Sequence, residues 1–282
     1  MEYSKKIQLK VNGLKKPVRL VHITDCHISQ CYENSTEEEI KNDARASVQW
    51  RPEGMPRPID SLRYLLKEIS SDQPALAVMT GDIVDLPLPG FNRALEEALT
   101  EAGVPYLYTF GNHENRGFIP VEKSKEKYYP MYSHLMNGSP DFQLIGFDEN
   151  GEVCTENAVL YVLGFDDSTK IVTEEQMTKL KKLSAEGKPI ILCLHIPIAT
   201  EENTPAIHGH WKDDHFLLGA ESDCETTHEF CSFVKSEESN VIAVLAGHIH
   251  FAHESEFAPG RKVYAAAPGY TQYAELIEIC GE

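Results

Sequence analysis

Long apolar runs are missing from this chain of 282 residues; no stretch suits a membrane span or the core of a secretory signal. Positive charge is scarce as well: 26 Lys and Arg stand against 44 Asp and Glu, a formal net charge of −18. A surface of that sign repels polyanions, so neither nucleic acid nor an anionic membrane is expected as a partner. The densest basic stretches, Lys5-Lys6 to Lys15-Lys16 and Lys179 to Lys182, are short and diluted by neutral residues. Cysteine patterning is absent too. The seven cysteines (26, 31, 154, 193, 224, 231 and 280) show no regular spacing and no CxxC pair, which reads as reduced thiols in a cytoplasmic protein. There is no G-x-S-x-G elbow and no P-loop, so neither a serine hydrolase nor a nucleotide-cradling glycine loop is indicated. No internal repeat or low-complexity linker divides the chain, and one domain over residues 1–282 is expected, with no partner protein.

What is present is an alternation of short apolar runs and helical stretches, the pattern of an α/β protein. Arg19 to Thr24, Ala75 to Thr80, Val104 to Phe110, Pro189 to Leu194 and Val241 to Ala246 read as buried strands, with an edge strand over Ile7 to Val11. Phe142 to Phe147 and Val159 to Phe165 read as antiparallel neighbours, and Lys262 to Ala267 with Gln272 to Ile279 as strands of a second sheet. Leu62, Leu65, Leu66 and Ile69 recur at helical spacing within Ile59 to Ser70, and Ala94 to Ala102 reads as another helix. Thr173-Glu174-Glu175-Gln176 is a capping box that opens a helix running to about Glu186. Two segments break the rhythm and read as long loops: residues 29–57, with Trp50 and a Pro-rich exit, and residues 199–224, with His208, His210, Trp211 and His215.

Five short strings follow the predicted strands. They are Asp25-Cys26-His27, Gly81-Asp82-Ile83-Val84-Asp85, Gly111-Asn112-His113-Glu114, His195 in Leu194-His195-Ile196-Pro197, and Gly247-His248-Ile249-His250. Divalent cations seek carboxylate oxygens and neutral imidazole nitrogens, and two ions ~3.5–4 Å apart need a bridging carboxylate plus terminal ligands of their own. Asp25 and His27 lie two apart at a strand end and can point to one side. Asp82 is the natural bridge, Asn112 offers a neutral carbonyl oxygen, and His195, His248 and His250 arrive from later strands.

In this order, from residue 25 to residue 250, the strings resemble the signature of the calcineurin-like metallophosphoesterase superfamily: D-x-H, G-D-x-x-D, G-N-H-[DE], a lone His, then G-H-x-H. The resemblance implies a four-layer α/β/β/α sandwich of two mixed sheets flanked by helices, with metals at strand ends. It places Asp25, His27, Asp82 and His250 on one metal and Asp82, Asn112, His195 and His248 on the other. His113 matches the histidine that contacts the phosphate and protonates the leaving oxygen; Glu114 would hold that imidazole, and Asp85 would support a ligand or loop amide. It further implies a phosphoric ester hydrolase in which a metal-bridging hydroxide attacks a small phosphomonoester or phosphodiester, with Mn, Fe or Zn as the metals.

Two departures narrow the subfamily. Asp85 stands where purple acid phosphatases would carry a metal-binding tyrosine, so an Fe(III)–tyrosinate centre is not expected. Leu86-Pro87 follows where protein phosphatases carry Arg-Gly, which disfavours that alternative activity. A metal-bearing scaffold without turnover is the remaining alternative, opposed by the intact ligand set and His113. Cys26 and His22 are expected in the core, His208, His210 and His215 on a solvated loop, and Trp50 and Trp211 as loop anchors.

Overall fold

In the computed structural model, which describes residues 2–116, 123, 126–136, 139–213 and 216–282, two mixed sheets pack face to face. The first has five strands in the order β1-β12-β2-β3-β4: β1 (Lys5–Lys10), β2 (Val18–Ile23), β3 (Leu76–Thr80), β4 (Tyr106–Thr109) and β12 (Glu275–Cys280). The second has seven, in the order β10-β11-β9-β8-β7-β5-β6. Its central members are β7 (Leu160–Phe165), β8 (Ile190–Cys193) and β9 (Val241–Ala246). On either side lie β5 (Phe142–Phe147) with β6 (Val153–Cys154), and β10 (His253–Ala258) with β11 (Arg261–Ala265).

Alternation along each strand explains the layers. Leu20, Leu76, Val78 and Leu107 of the first sheet meet Val162, Ile191, Cys193 and Leu245 of the second in an inter-sheet core. The opposite set on the first sheet (Val21, Ile23, Ala77 and Met79) faces helices α2 (Pro58–Asp72) and α3 (Pro89–Ala102). On the second sheet, Leu163, Phe165, Leu192 and Val244 face α5 (Glu174–Ser184) and α7 (Glu225–Lys235). Strands covered on both faces have no position for a solvated residue, which is why they read as unbroken apolar runs. A short α4 (Tyr129–Tyr132) packs its Tyr132 against the first core. The capping box that opens α5 is formed: Thr173 Oγ1 accepts from the Gln176 amide at 3.2 Å, and Gln176 Oε1 accepts from the Thr173 amide at 2.8 Å.

Two expectations are corrected. The last strand does not join the second sheet; β12 lies between β1 and β2 of the first, parallel to one and antiparallel to the other. Burial on both faces is the same in either sheet, so the apolar pattern alone cannot choose between them. The two long segments also carry helices: α1 (Glu37–Gln49) within residues 29–57 and α6 (Asn203–Trp211) within 199–224. Among the described residues no helix is long and apolar enough to cross a membrane.

Strands β2, β3 and β4 run parallel to one another, as do β7, β8 and β9. Their carboxyl ends therefore open onto common edges, the usual place for a site in an open α/β sheet.

Candidate metal centre

Each string begins one or two residues past its strand, where the backbone bends sharply. The bends are made by the functional residues themselves: Asp25 (φ 49°), His27 (45°), Asp82 (52°), His248 (69°) and His250 (59°) all have left-handed backbone. Such a conformation costs a non-glycine residue roughly 1–2 kcal/mol and persists only where the surroundings fix it. Here neighbouring turns fix one another. The Asp25 amide donates to Gly81 O at 3.0 Å, His27 to Asp82 O at 2.9 Å, and Gly247 to His195 O at 2.9 Å. All three motif glycines answer to crowding, Gly81 against Gly111 and His195. A Cβ at Gly247 would collide with Thr24 Oγ1 and Asp25 Oδ2, and one at Gly111 with the Asp82 side chain and amide. Close approach, rather than a sharp turn at Gly111, is what excludes a side chain there.

The bends bring the donor atoms together. Nε2 of His27 lies 3.1 Å from Nε2 of His250, which in turn lies 3.2 Å from Asp25 Oδ1. His27 Nε2 is also 3.9 Å from Asp25 Oδ1 and 3.8 Å from Asp82 Oδ2. A second group forms around His195 Nε2, which is 3.3 Å from Asp82 Oδ2, 3.3 Å from Asn112 Oδ1 and 3.1 Å from His248 Nδ1. Asp82 is common to both groups. Donors about 2.1 Å from a shared cation lie roughly 3.0–3.4 Å from one another, so the spacing and the mixed imidazole–carboxylate chemistry both fit divalent ions. Among the described residues, buried Asp25 Oδ1 has no well-formed hydrogen bond and faces the His250 ring nitrogen, itself a metal donor, as an atom reserved for a cation would. Burial pushes the His248 imidazole down to about 3, helped by His195, and drives His27 well below its ordinary value, so both rings offer lone pairs. Burial alone would raise Asp82, yet the facing His195 and His113 hold it well below the carboxylate range.

The family model for calcineurin-like phosphoesterases matches residues 18–252. The chain belongs to that family. A protein of Psychrobacter arcticus described as a probable cyclic nucleotide phosphodiesterase is 25% identical over 248 residues, covering 85% of this chain and 76% of that one. Among solved structures, a dimetal phosphatase from Danio rerio superposes with a TM-score of 0.53 at 12% identity, covering 90% of this chain and 88% of that one. A purple acid phosphatase from yellow lupin gives 0.49 at 13% identity, over 86% of this chain and 39% of that one. This calcineurin-like phosphoesterase is a metal-dependent phosphoric ester hydrolase.

Buried carboxylates outside the ligand set hold the phosphoesterase turns in place. Glu114, expected to hold His113, does something else. Its Oε2 accepts the amides of Asp82 (2.9 Å) and Gly111 (2.8 Å), while Oε1 accepts those of Ile83 (2.8 Å) and Val84 (3.2 Å) and the Tyr108 hydroxyl (2.7 Å). Its oxygens are turned into the turn backbone, so it fastens two ligand-bearing turns together as a positioning residue. Asp85, expected to support a ligand or loop amide, takes the place expected of Glu114: its carbonyl accepts from His113 Nδ1 at 2.7 Å, and its Oδ1 lies 3.6 Å from the same nitrogen. Burial lowers His113, but Asp82 and Asp85 overcome it and raise the imidazole to about 9. Asp167, which belongs to no motif, accepts the amides of His195 and Ile196 at 2.8 Å each and fixes the third turn. Its only sequence signal is a pair of acids, Asp166-Asp167, directly after a buried strand.

A cavity of about 420 Å³ opens over the donors, lined by Trp50, Asp82, Asn112, His113, Trp211, Asp213, Phe216, His248 and His250. The two long segments thus supply its walls. Trp50 Nε1 donates to Asp85 Oδ1 at 2.6 Å, and its ring stacks on His27 at 4.0 Å and 13°. Trp211 Nε1 donates to Ile249 O at 2.9 Å, and its ring stacks on Phe216 at 4.6 Å and 9°. Both tryptophans are anchored, as expected, and both also face the cavity, in keeping with an expectation that at least one long loop shapes the substrate pocket. His208 and His210 are exposed and do not line it; His215 lies outside the described residues. Cys26 is fully buried and its thiol is pushed up by burial, while His22 bonds Thr80 Oγ1 at 2.7 Å within the first sheet.

Proposed function

We propose that this phosphoesterase hydrolyses a small phosphodiester with a flat aromatic portion, such as a nucleotide, using two cations among Mn, Fe and Zn. The observation that carries the reading is the character of the cavity. Among the described residues no Lys or Arg lines it, whereas Trp50, Trp211 and Phe216 do. A phosphomonoester is close to dianionic at neutral pH and calls for added positive charge; a diester carries one negative charge, which the cations alone can meet. Aromatic faces stack on any nucleobase, at about 1–3 kcal/mol per base. The Psychrobacter relative's description agrees with this class.

Asp25, His27, Asp82 and His250 would hold one cation, and Asp82, Asn112, His195 and His248 the other. When bound, two such ions lower the pKa of an attacking water and neutralise charge on the phosphoryl oxygens. The remaining work falls to the chain. His113 donates through Nδ1 to Asp85 O, which leaves Nε2 as the ring atom to meet the leaving oxygen and pass it a proton. Glu114 and Asp167 keep the turns fixed, and the aromatic walls exclude water and orient the ester.

The test is hydrolysis of bis-p-nitrophenyl phosphate and p-nitrophenyl phosphate by metal-stripped protein reloaded with Mn, Fe or Zn, followed by 3′,5′- and 2′,3′-cyclic nucleotides. A diester rate at least about tenfold above the monoester rate, lost in His113→Ala, is the expected result; tenfold corresponds to ~1.4 kcal/mol of differential stabilisation. Faster monoester turnover would overturn the diester reading.

A further inference from the structure

A histidine that binds a metal through one ring nitrogen ordinarily donates its other N–H to a carboxylate or carbonyl, and that bond sets the ring's orientation. His195 has such a partner: its Nδ1 lies 2.7 Å from Thr80 O. His27 does not. Its Nδ1 is fully buried and, among the described residues, has no hydrogen-bond partner. The nearest carboxylate oxygen, Asp85 Oδ1, stands 4.0 Å away and is occupied by the indole N–H of Trp50 at 2.6 Å. Arg45, on the same helix-bearing segment, bonds the other oxygen of Asp85. What meets the ring instead is the Trp50 face, stacked at 4.0 Å with 13° between planes.

We propose that Trp50 is a positioning residue of the metal centre: its indole takes the role that a hydrogen-bonding partner plays for other metal-bound histidines, fixing the His27 ring by stacking. The inference rests on the two-cation reading given above. It makes the two halves of the centre unequal. The His195 ring is held from within the first sheet, by Thr80 O, whereas the His27 ring is held only when the segment carrying α1 is docked. Trp50 also faces the cavity. Substrate packed against it therefore acts on the same side chain that holds a metal ligand.

The experiment is metal titration of chelator-stripped full-length protein with Mn(II), counting free ion by electron paramagnetic resonance, for wild type, Trp50→Ala, Trp50→Phe and Arg45→Met. In a Trp211→Phe background Trp50 is the sole tryptophan, and quenching of its emission reports occupancy beside His27. Outer partners of metal ligands typically account for about 10–100-fold in affinity. Trp50→Ala should therefore weaken one of two sites by roughly that factor and leave the other within about threefold. Trp50→Phe, which keeps a ring against His27, should restore it. Arg45→Met removes one of the segment's two side-chain bonds to Asp85 while the other, from Trp50, keeps the indole on His27, and it should leave both sites within about threefold. Unchanged affinities in Trp50→Ala would overturn the inference, as would equal loss at both sites that Trp50→Phe does not restore. Wild type that takes up no metal would overturn the two-cation reading itself, and with it this one.

Discussion

The turns that carry the donor atoms and the two segments that wall the cavity are built on opposite principles. The turns are mostly buried and backbone-tied, and two carboxylates (Glu114 and Asp167) between them accept six main-chain amides from three of the turns. The segments are attached lightly. Helix α1 buries only Glu39 and Ala46, and α6 only Asn203 and Ile207. The first reaches the cavity through half-buried Trp50, the second through Trp211, Asp213 and Phe216. On the proposed reading the contrast separates tasks: geometry that chemistry requires is held by a tied scaffold, while surfaces that would meet the variable part of a substrate sit on elements that can change without disturbing it.

That contrast can be broken at graded cost. Asp82→Ala removes the carboxylate shared by both donor groups and should reduce diester hydrolysis by about 10³-fold or more, since several kcal/mol of charge stabilisation is lost. Metal content measured alongside should fall as well. Glu114→Ala should act on the turns as a whole. Buried amides left without an acceptor cost about 1–3 kcal/mol each, so urea unfolding should show a loss of about 3 kcal/mol or more, with Asp167→Asn milder because the carboxamide keeps one acceptor. Trp211→Ala should leave the fold intact and raise KM for a nucleotide diester by roughly tenfold, within the range of one lost base stack, with a smaller effect on bis-p-nitrophenyl phosphate. A uniform loss across substrates would place Trp211 with the scaffold instead.

The smallest effect concerns how α1 is attached. Glu39 closes the capping box with Thr36 and reaches across to accept the Gly90 amide at 2.7 Å. Burial would raise its carboxyl, but the Thr36 and Gly90 amides hold it below the ordinary value. A carboxyl depressed on folding contributes stability above its unfolded pKa, and loses it as pH falls through the folded one. Attachment of α1 should thus be constant from pH 5 to 8 and weaken below about pH 4. Limited proteolysis of residues 29–57 at the two pH values, with Glu39→Gln at neutral pH as mimic, would show it.

Much of the centre was legible because its residues follow strands, and strands covered on both faces announce themselves as apolar runs. Asp25, His27, Asp82, Asn112, His195, His248 and His250 were all found that way, and the structure brings them to one place. The remaining features carry no local pattern, or one that misleads at short range. Strand β10 reads as polar because only Ser255 and Phe257 of its six residues are buried at the sheet edge. Helix α1 opens with Thr36-Glu37-Glu38-Glu39, the same capping-box signal recognised at Thr173, but a weak apolar face beyond it concealed the helix. Glu114 was assigned to its sequence neighbour His113, although its oxygens serve amides some thirty positions earlier. Asp167 and Trp50 act through partners 28 and 35 residues away, distances over which local spacing carries no information.

The left-handed backbone at five donor residues has a consequence for how this protein can change. Glycine is the one residue that adopts such angles without penalty, and the five positions hold aspartate and histidine because a side chain is needed there. At each of them the chain is least comfortable where it is most useful. Replacing His248 or His250 by glycine should relax the backbone, and leave an inactive protein more stable than the alanine variant at the same position. In a lineage freed from catalysis, mutation at these turns would be drawn toward glycine, so loss of activity would be easy to enter and hard to reverse.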